Sequence, residues 1–294
     1  MNTKTTNYYA QASKYQSGAD SQIRSTNPPK NMKITIIGTG NIAQSLAPRL
    51  IQKGAQIPQI YGRNKEKTTE LANQLRSQPI TQLENINQHS DLYIIAVTDT
   101  AIPEIAKALA PNLPPTALVV HTSGTTPSNI LQPHFQHFGT LYPLQTFSPL
   151  TNPDFNHIPI FINASTPEDL ITIQKAALLI SPKVELLTDE KRAALHIAAV
   201  FANNFTNYLF TIAEEILQKE NIPFNILLPL ITETIHKIQT HSPKQMQTGP
   251  AKRNDNTTIQ KHQEYLKTNF PQALPIYQLL TNNIINTQSS NKTQ

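Results

Sequence analysis

The chain has 294 residues, enough for two domains or one large one with a sizeable core. It contains no cysteine, which excludes disulfides, thiolate metal sites and a cysteine nucleophile. The formal charge of +5 sits largely in the tails, with Lys4, Lys14, Arg24 and Lys30 against Asp20 in residues 1–31 and Lys292 near the end, so the near-neutral body argues against nucleic acid as a partner.

Residues 1–31 lack the apolar centre of a signal peptide and read as a disordered extension, or as chain ahead of the true start, because Met32 opens MKITIIGTG. KITIIG (33–38) is a β-branched run closed by glycine, as a buried parallel strand should be. Residues 41–53 have helical spacing through Ile42, Leu46 and Leu50, and Gly54 stops the helix. QIPQIYG (56–62) reads as the second strand, and 65–76 as a helix with charged outer positions. DLYIIAV (91–97) is the next strand, followed by a helix from about Thr100 to Ala110 and a strand in TALVVHT (116–122). Further strands fit FGTLYPLQTF (138–147) and IPIFINA (158–164). Strands alternating with helices predict a doubly wound, mostly parallel sheet over 32–187, since a parallel crossover needs about a dozen residues. After Leu187 the pattern turns helical, at 189–219, 223–240, 255–268 and 272–286. Residues 188–287 are therefore assigned to an all-α domain for substrate and dimerisation, and 288–294 to a disordered tail. No run reaches ~18 consecutive apolar residues, so no membrane partner and a cytoplasmic location are expected.

G-T-G-N-I-A (38–43) follows the first strand and opens the first helix, the context that gives the dinucleotide fingerprint its meaning. Gly38 allows the tight turn, Gly40 lets the backbone approach a pyrophosphate, and Ala43 permits close helix–strand packing. Thr39, Asn41 and Ile42 surround the helix N-terminus, where free N–H groups and the dipole favour anions. An NAD site needs a carboxylate about twenty residues on. Arg63 stands there instead, within Y-G-R-N-K, and no carboxylate appears before Glu66. A guanidinium pairs with a 2′-phosphate, so Arg63 and Asn64 predict NADP(H). Val97, Thr98 and Asp99 end a strand at the ligand edge of the sheet; Asp99 is also a natural N-cap for the following helix.

Residues 193–213, AALHIAAVFANNFTNYLFTIA, read as a buried helix that nevertheless carries His196, Asn203, Asn204 and Asn207. On an ideal α-helix His196, Asn203 and Asn207 fall within roughly 40° of one another. Unpaired buried amides cost ~1–3 kcal/mol each, so such a stripe needs either internal partners or a ligand. His196 is its titratable member and the candidate general acid or base, with Asn203 and Asn207 orienting a substrate carbonyl or the nicotinamide amide. HTSGTTP (121–127) offers Ser123 for an anionic substrate, although its hydroxyls equally suit a turn. Gln145 and Thr146 lie at the domain junction, Arg253 could neutralise a substrate carboxylate, and Asn254 or Asp255 would cap a helix. Glu233 and Lys237 are spaced for a helical ion pair. The nine histidines have no metal-ligand spacing, and no metal is expected.

IIGTGNIA, YIIAVTDTAI, VVHTSGTTP, LYPLQTFS, LHIAAVFANNFTNY, PLITETIHK and QTGPAKRND together resemble the Rossmann proteins related to deazaflavin-dependent NADP reductases that carry a C-terminal domain of unknown function. More distantly the chain is similar to 6-phosphogluconate and β-hydroxyacid dehydrogenases and to pyrroline-5-carboxylate reductases. The resemblance implies an α/β Rossmann domain followed by a 6-phosphogluconate-dehydrogenase-like helical domain that dimerises over the cofactor. It also implies an oxidoreductase. β-Hydroxyacid dehydrogenases carry Lys-x-x-Asn-Asn on the first long helix of the second domain; here Asn203 and Asn204 are present, but Val200 stands at the lysine position. His196 is the inferred replacement. The expected activity is hydride transfer between NADP(H) and a small, anionic carbonyl, imine, hydroxy or amino substrate. The missing lysine supports an alternative, a non-catalytic NADP(H)-binding regulator or sensor, and a weaker third reading is a purely structural partner protein.

Overall fold

The computed structural model describes residues 31–148, 150, 151 and 153–289, so the expectations for residues 1–30 and 290–294 lie outside the described residues. Contacts between Cα atoms divide the chain into two compact units, Met1–Val200 and Phe201–Gln294.

The first unit is built on an eight-stranded sheet: β1 (Ile34–Ile37), β2 (Gln59–Tyr61), β3 (Gln78–Ile80), β4 (Leu92–Ile95), β5 (Leu118–His121), β6 (His137–Pro143), β7 (Ile160–Ala164) and β8 (Val184–Leu186). Their order is β3-β2-β1-β4-β5-β6-β7-β8. Every neighbouring pair is parallel except β6 and β7, where the direction reverses. The doubly wound, mostly parallel sheet is thus as expected. Both faces are covered, which explains why its strands read as continuous apolar runs rather than alternating ones. Successive side chains still go to opposite faces. Ile34, Ile36, Leu92, Ile94, Leu118 and Val120 join the core beneath α1 (Asn41–Gln52), α2 (Lys65–Leu75) and a long α4 (Pro167–Ile180). Ile37, Tyr93, Ile95 and Val119 join the core beneath α3 (Ile102–Leu109).

Three elements of this unit differ from the expectation. β3 and β8 are three-residue strands at the two edges of the sheet, and β3 includes Pro79. Proline is tolerated at an edge, and so short a run leaves no periodicity to read. α4 was not anticipated, although its signal is local: Thr166 accepts from the Asp169 N–H at 3.1 Å, Pro167 occupies the first turn, and Glu168 and Asp169 face the dipole.

The unit boundary also falls later than the change in composition at residue 188. α5 (Asp189–Ala199) belongs with the sheet because Arg192, 1% exposed, is sunk into it. Val200–Phe205 then has π-helical geometry.

The second unit is helical, with α6 (Thr206–Lys219), α7 (Leu228–Thr240), α8 (Pro243–Met246), α9 (Pro250–Arg253), α10 (Asn256–Asn269) and α11 (Leu274–Ser289). Its core is small: Leu266, Phe270 and Ala273, against which Ile212, Ile216, Leu274 and Tyr277 pack. Asp255 caps α10 by accepting from the Thr258 N–H at 3.1 Å, and Glu233 pairs with Lys237 at 3.2 Å, both as the spacing suggests. Much of the unit's apolar surface is open. α7 buries none of its residues, and Leu230, 65% exposed, is typical of it. Among the described residues no helix is long and apolar enough to cross a membrane.

Candidate active site

The winding of the sheet reverses between β1 and β4, and the crevice beyond their carboxyl ends is where open α/β sheets bind ligands. A cleft of about 570 Å³ opens there, lined by Gly38, Thr39, Gly40, Asn41 and Ile42 from the first turn, Arg63 and Asn64 from the second, and Val97 and Thr98 from the third. Gly38 has a φ of +130°, and a Cβ added to it would stand 2.1 Å from the Ala96 carbonyl oxygen. Only glycine fits that crossing. Gly40 is the N-cap of α1 and a Cβ there would meet nothing within 4 Å, so its backbone faces open space. Ala43 is fully buried beneath the turn. The three positions therefore have the conformation, the open backbone and the close packing that a dinucleotide turn requires.

At the end of β2, Asn64 caps α2 by accepting from the Lys67 N–H at 2.9 Å. Its amide thus serves the helix. Arg63 is exposed beside it, and Lys67, which the sequence reading passed over, also lines the cleft. Two cations and a helix N-terminus with no carboxylate lining the cleft favour a 2′-phosphate.

Asp99 does not cap the following helix. No side-chain cap bond forms there, because Asp99 enters a 3₁₀ turn (Asp99–Ala101) ahead of α3. Its carboxylate instead accepts from the Thr125 hydroxyl at 2.6 Å, tying the loop after β4 to the loop after β5.

The loop after β5 is tightly self-bonded. Ser123 is buried, and its hydroxyl oxygen accepts from the N–H groups of Thr125 and Thr126 at 3.2 and 2.9 Å, the turn alternative foreseen for this motif. His121, fully buried at the end of β5, accepts the Ser123 N–H at Nδ1 (3.2 Å) and lies 3.4 Å by Nε2 from the Pro127 carbonyl. Burial, helped by the nearby Arg192 cation, pushes this imidazole down to about 4 and keeps it neutral.

Below the loop, the Arg192 guanidinium donates to Thr140 Oγ1 at 3.0 Å, to Asp189 Oδ1 at 2.6 Å and to the Thr126 carbonyl. Asp189 also accepts from the Ser128 N–H and hydroxyl at 2.7 and 2.8 Å and from Asn163 Nδ2 at 2.7 Å. Burial alone would raise the Asp189 carboxyl, but the Ser128 donors and Arg192 outweigh it and hold it below its ordinary value.

His196 is half-buried on α5, one turn beyond Arg192. Its Nδ1 is 3.1 Å from the Tyr142 hydroxyl, and a Cβ on Gly124 would stand 2.4 Å from the same nitrogen. Tyr142, on β6, is itself buried, and that burial raises its hydroxyl above the ordinary tyrosine value. Tyr142, Gly124, His121 and Arg192 escaped the sequence reading of the site. The one available signal was a histidine ending an otherwise apolar strand.

The remaining expected site residues are exposed. Asn203, Asn204 and Asn207 belong to the helical unit and are exposed, so the expectation of a buried amide stripe is not met. Asn203 and Asn204 also lie in the π-helical segment, where the rotation assumed for an α-helix does not apply. Arg253 is exposed at the end of α9, and the exposed Gln145 accepts its neighbour Thr146's N–H at 2.8 Å.

Residues 33–124 match the family described as NADP oxidoreductase, coenzyme F420-dependent, and residues 158–284 match a domain of unknown function, DUF2520. The putative NADP oxidoreductase BF3122 from Bacteroides fragilis is 39% identical, with a TM-score of 0.83 over 87% of this chain and 98% of that one. Protein TM1727 from Thermotoga maritima is 23% identical, with a TM-score of 0.63 over 88% of this chain and 99% of that one. The 1-pyrroline-5-carboxylate reductase of Streptococcus pyogenes shares the fold at 17% identity, with a TM-score of 0.57 over 88% of this chain and 99% of that one. No curated protein matches the chain.

Proposed function

The chain belongs to the family of NADP oxidoreductases that join this dinucleotide-binding domain to DUF2520, and from that premise we propose that it passes hydride between NADP(H) and a small, anionic carbonyl or imine, with His196 exchanging the proton. The observation that carries this reading is the place of His196. Gly124 seats its ring, Thr125 in the same loop bonds Asp99, and Asp99 adjoins Thr98 on the cleft wall. A titratable side chain thus lies along the ligand edge from the nucleotide turn.

In this mechanism the first turn and the α1 N-terminus would hold the pyrophosphate, while Arg63 and Lys67 would hold the 2′-phosphate. Hydride transfer is the chemistry that NADP(H) would supply when held there. In the reductive direction the His196 ring would give a proton to the oxygen or nitrogen that gains negative character. Asn203, Asn204, Asn207 and Arg253 are the helical unit's candidates for holding the substrate, and Gln145 that of the first unit, since the buried Ser123 is taken up by its own turn.

The partner of the helical unit is a second copy of the chain on the same reading. Phe201, Phe205, Tyr208, Leu228, Leu230 and Leu279 are all exposed. Apolar surface on this scale marks an interaction site rather than a finished exterior. The isologous pairing of one face with itself is the commonest way to cover it.

The test is NADPH oxidation across a panel of keto acids, cyclic imines and aldehydes. His196→Ala should abolish most turnover while leaving NADPH affinity intact, and equal turnover in the variant would overturn the proton assignment. A sensor without chemistry is the second reading, favoured by Val200 at the lysine position. It predicts NADPH binding with no oxidation across the panel.

A further inference from the structure

We propose that Tyr142 is the positioning residue of this site, its hydroxyl donating to His196 Nδ1 and thereby fixing the imidazole as the Nε2–H tautomer. The proposal rests on His196 being the proton-exchanging group, and it concerns how that group is held.

Two observations define the problem. Tyr142 is 7% exposed, and among the described residues its hydroxyl has a single hydrogen-bond partner, His196 Nδ1 at 3.1 Å. Nε2 of the same ring has no hydrogen-bond partner among the described residues, although the residue is half-buried. A hydroxyl has one proton to give, and a buried donor left unpaired is penalised. Were Nδ1 to carry the proton and donate to Tyr142, the phenolic hydrogen would have no acceptor. Donation from Tyr142 to Nδ1 satisfies it. A neutral imidazole whose Nδ1 accepts must bear its proton on Nε2.

The surroundings agree with a protonated phenol. Burial raises the Tyr142 hydroxyl, the Arg192 cation opposes that rise and the Asp99 carboxylate adds to it. Gly124 supplies the other half of the device. A side chain at that position would overlap Nδ1 and Cγ at 2.4 and 2.7 Å, so the ring can lie against the loop only because residue 124 has none. The loop is fixed in turn by Thr125 on Asp99 and by the Thr126 carbonyl on Arg192. Tyr142 from one side and Gly124 from the other therefore hold Nδ1 and leave the Nε2–H as the donor offered to substrate.

The experiment is a long-range ¹H–¹⁵N correlation spectrum of the ¹⁵N-labelled full chain saturated with NADPH, at about pH 9. The His196 signals are assigned by their loss in His196→Gln. The wild-type ring should be a single Nε2–H tautomer. Tyr142→Phe should shift the tautomer ratio about five-fold towards Nδ1–H, the worth of one net hydrogen bond. Gly124→Ala, which keeps the phenol but displaces the ring, should move the ratio the same way. It also keeps the test alive should Tyr142→Phe fold poorly. An Nδ1–H ring in the wild type would overturn the proposal, and so would a ratio unchanged in both variants. Since the spectrum needs no substrate, these results stand apart from any failure to find turnover.

Discussion

Arg63→Ala puts the cofactor assignment to its most direct test. Arg63 is exposed at the mouth of the cleft, and Lys67 lines the same cleft, so the substitution removes one of two cations and leaves the glycine turn untouched. A hydrogen bond to a charged group is worth ~1.5–3 kcal/mol. Solvent at an exposed site and the remaining ammonium both push the effect to the lower part of that range. About 1.5–2 kcal/mol corresponds to a rise of roughly ten- to thirty-fold in the NADPH dissociation constant. NADH has no 2′-phosphate, so its affinity should change less than about two-fold, and the preference between the cofactors should fall by nearly the whole effect. Titration calorimetry on both cofactors, at low and at moderate salt, reads this out. The loss should shrink as salt rises, because the interaction lies in solvent. Equal weakening of NADPH and NADH would mean that Arg63 serves the fold or the adenine, and the argument from the end of β2 would fail.

Other perturbations follow from the same contacts. His121 titrates at about 4 in the fold against 6.5 when free, so as pH falls the unfolded chain takes up its proton first. Stability is full above about pH 6.5 and is lost towards pH 4 by about 3 kcal/mol at most; His121→Gln should flatten that part of the unfolding profile, and an unchanged slope would refute the assignment. Arg192→Leu strips the half-buried Asp189 carboxylate of its buried cation and should cost about 3 kcal/mol in denaturant unfolding, the low end for a broken buried pair because Ser128 and Asn163 still serve Asp189. A loss below about 1 kcal/mol would show that the network is dispensable. Leu230→Asp should turn a dimer into a monomer by light scattering if α7 lies at the interface; an unchanged mass would place the contact elsewhere.

What the sequence revealed of the site was its local part. Gly38, Gly40 and Ala43 act through the conformation and packing of a single turn, so six consecutive letters after an apolar run suffice to read them. The place of Arg63 on the cleft wall was legible because the fold fixes its distance from that turn. Asp99 was not, since the same short carboxylate suits a helix cap and a bond to Thr125 equally well. Tyr142 and His196 are separated by 54 positions, and only strand order brings them together. The helical run after His196 misled for two physical reasons. Its apolar letters look alike whether they fill a core or await a partner, and the π-helical turn at Val200–Phe205 breaks the assumed rotation.

On the proposed function, the buried network accounts for proton exchange falling to His196 rather than to the other ionisable groups around it. Arg192 and Asp189 cancel each other, and Ser128 and Asn163 occupy further lone pairs of the carboxylate. His121 is pushed down and Tyr142 up, in each case chiefly by burial, so near pH 7 one is a neutral imidazole and the other a neutral phenol. Separating titratable neighbours in this way is how a site assigns its acid and its base. Each of these groups is bound into loops or strands, and moving a proton on any of them would break a bond that holds the sheet edge in shape. His196 alone among them pairs one ring nitrogen with the frame and keeps the other without a hydrogen-bond partner among the described residues. On the proposed function the proton exchange therefore falls where the frame ends, on the last turns of the first unit, at His196 rather than at Val200.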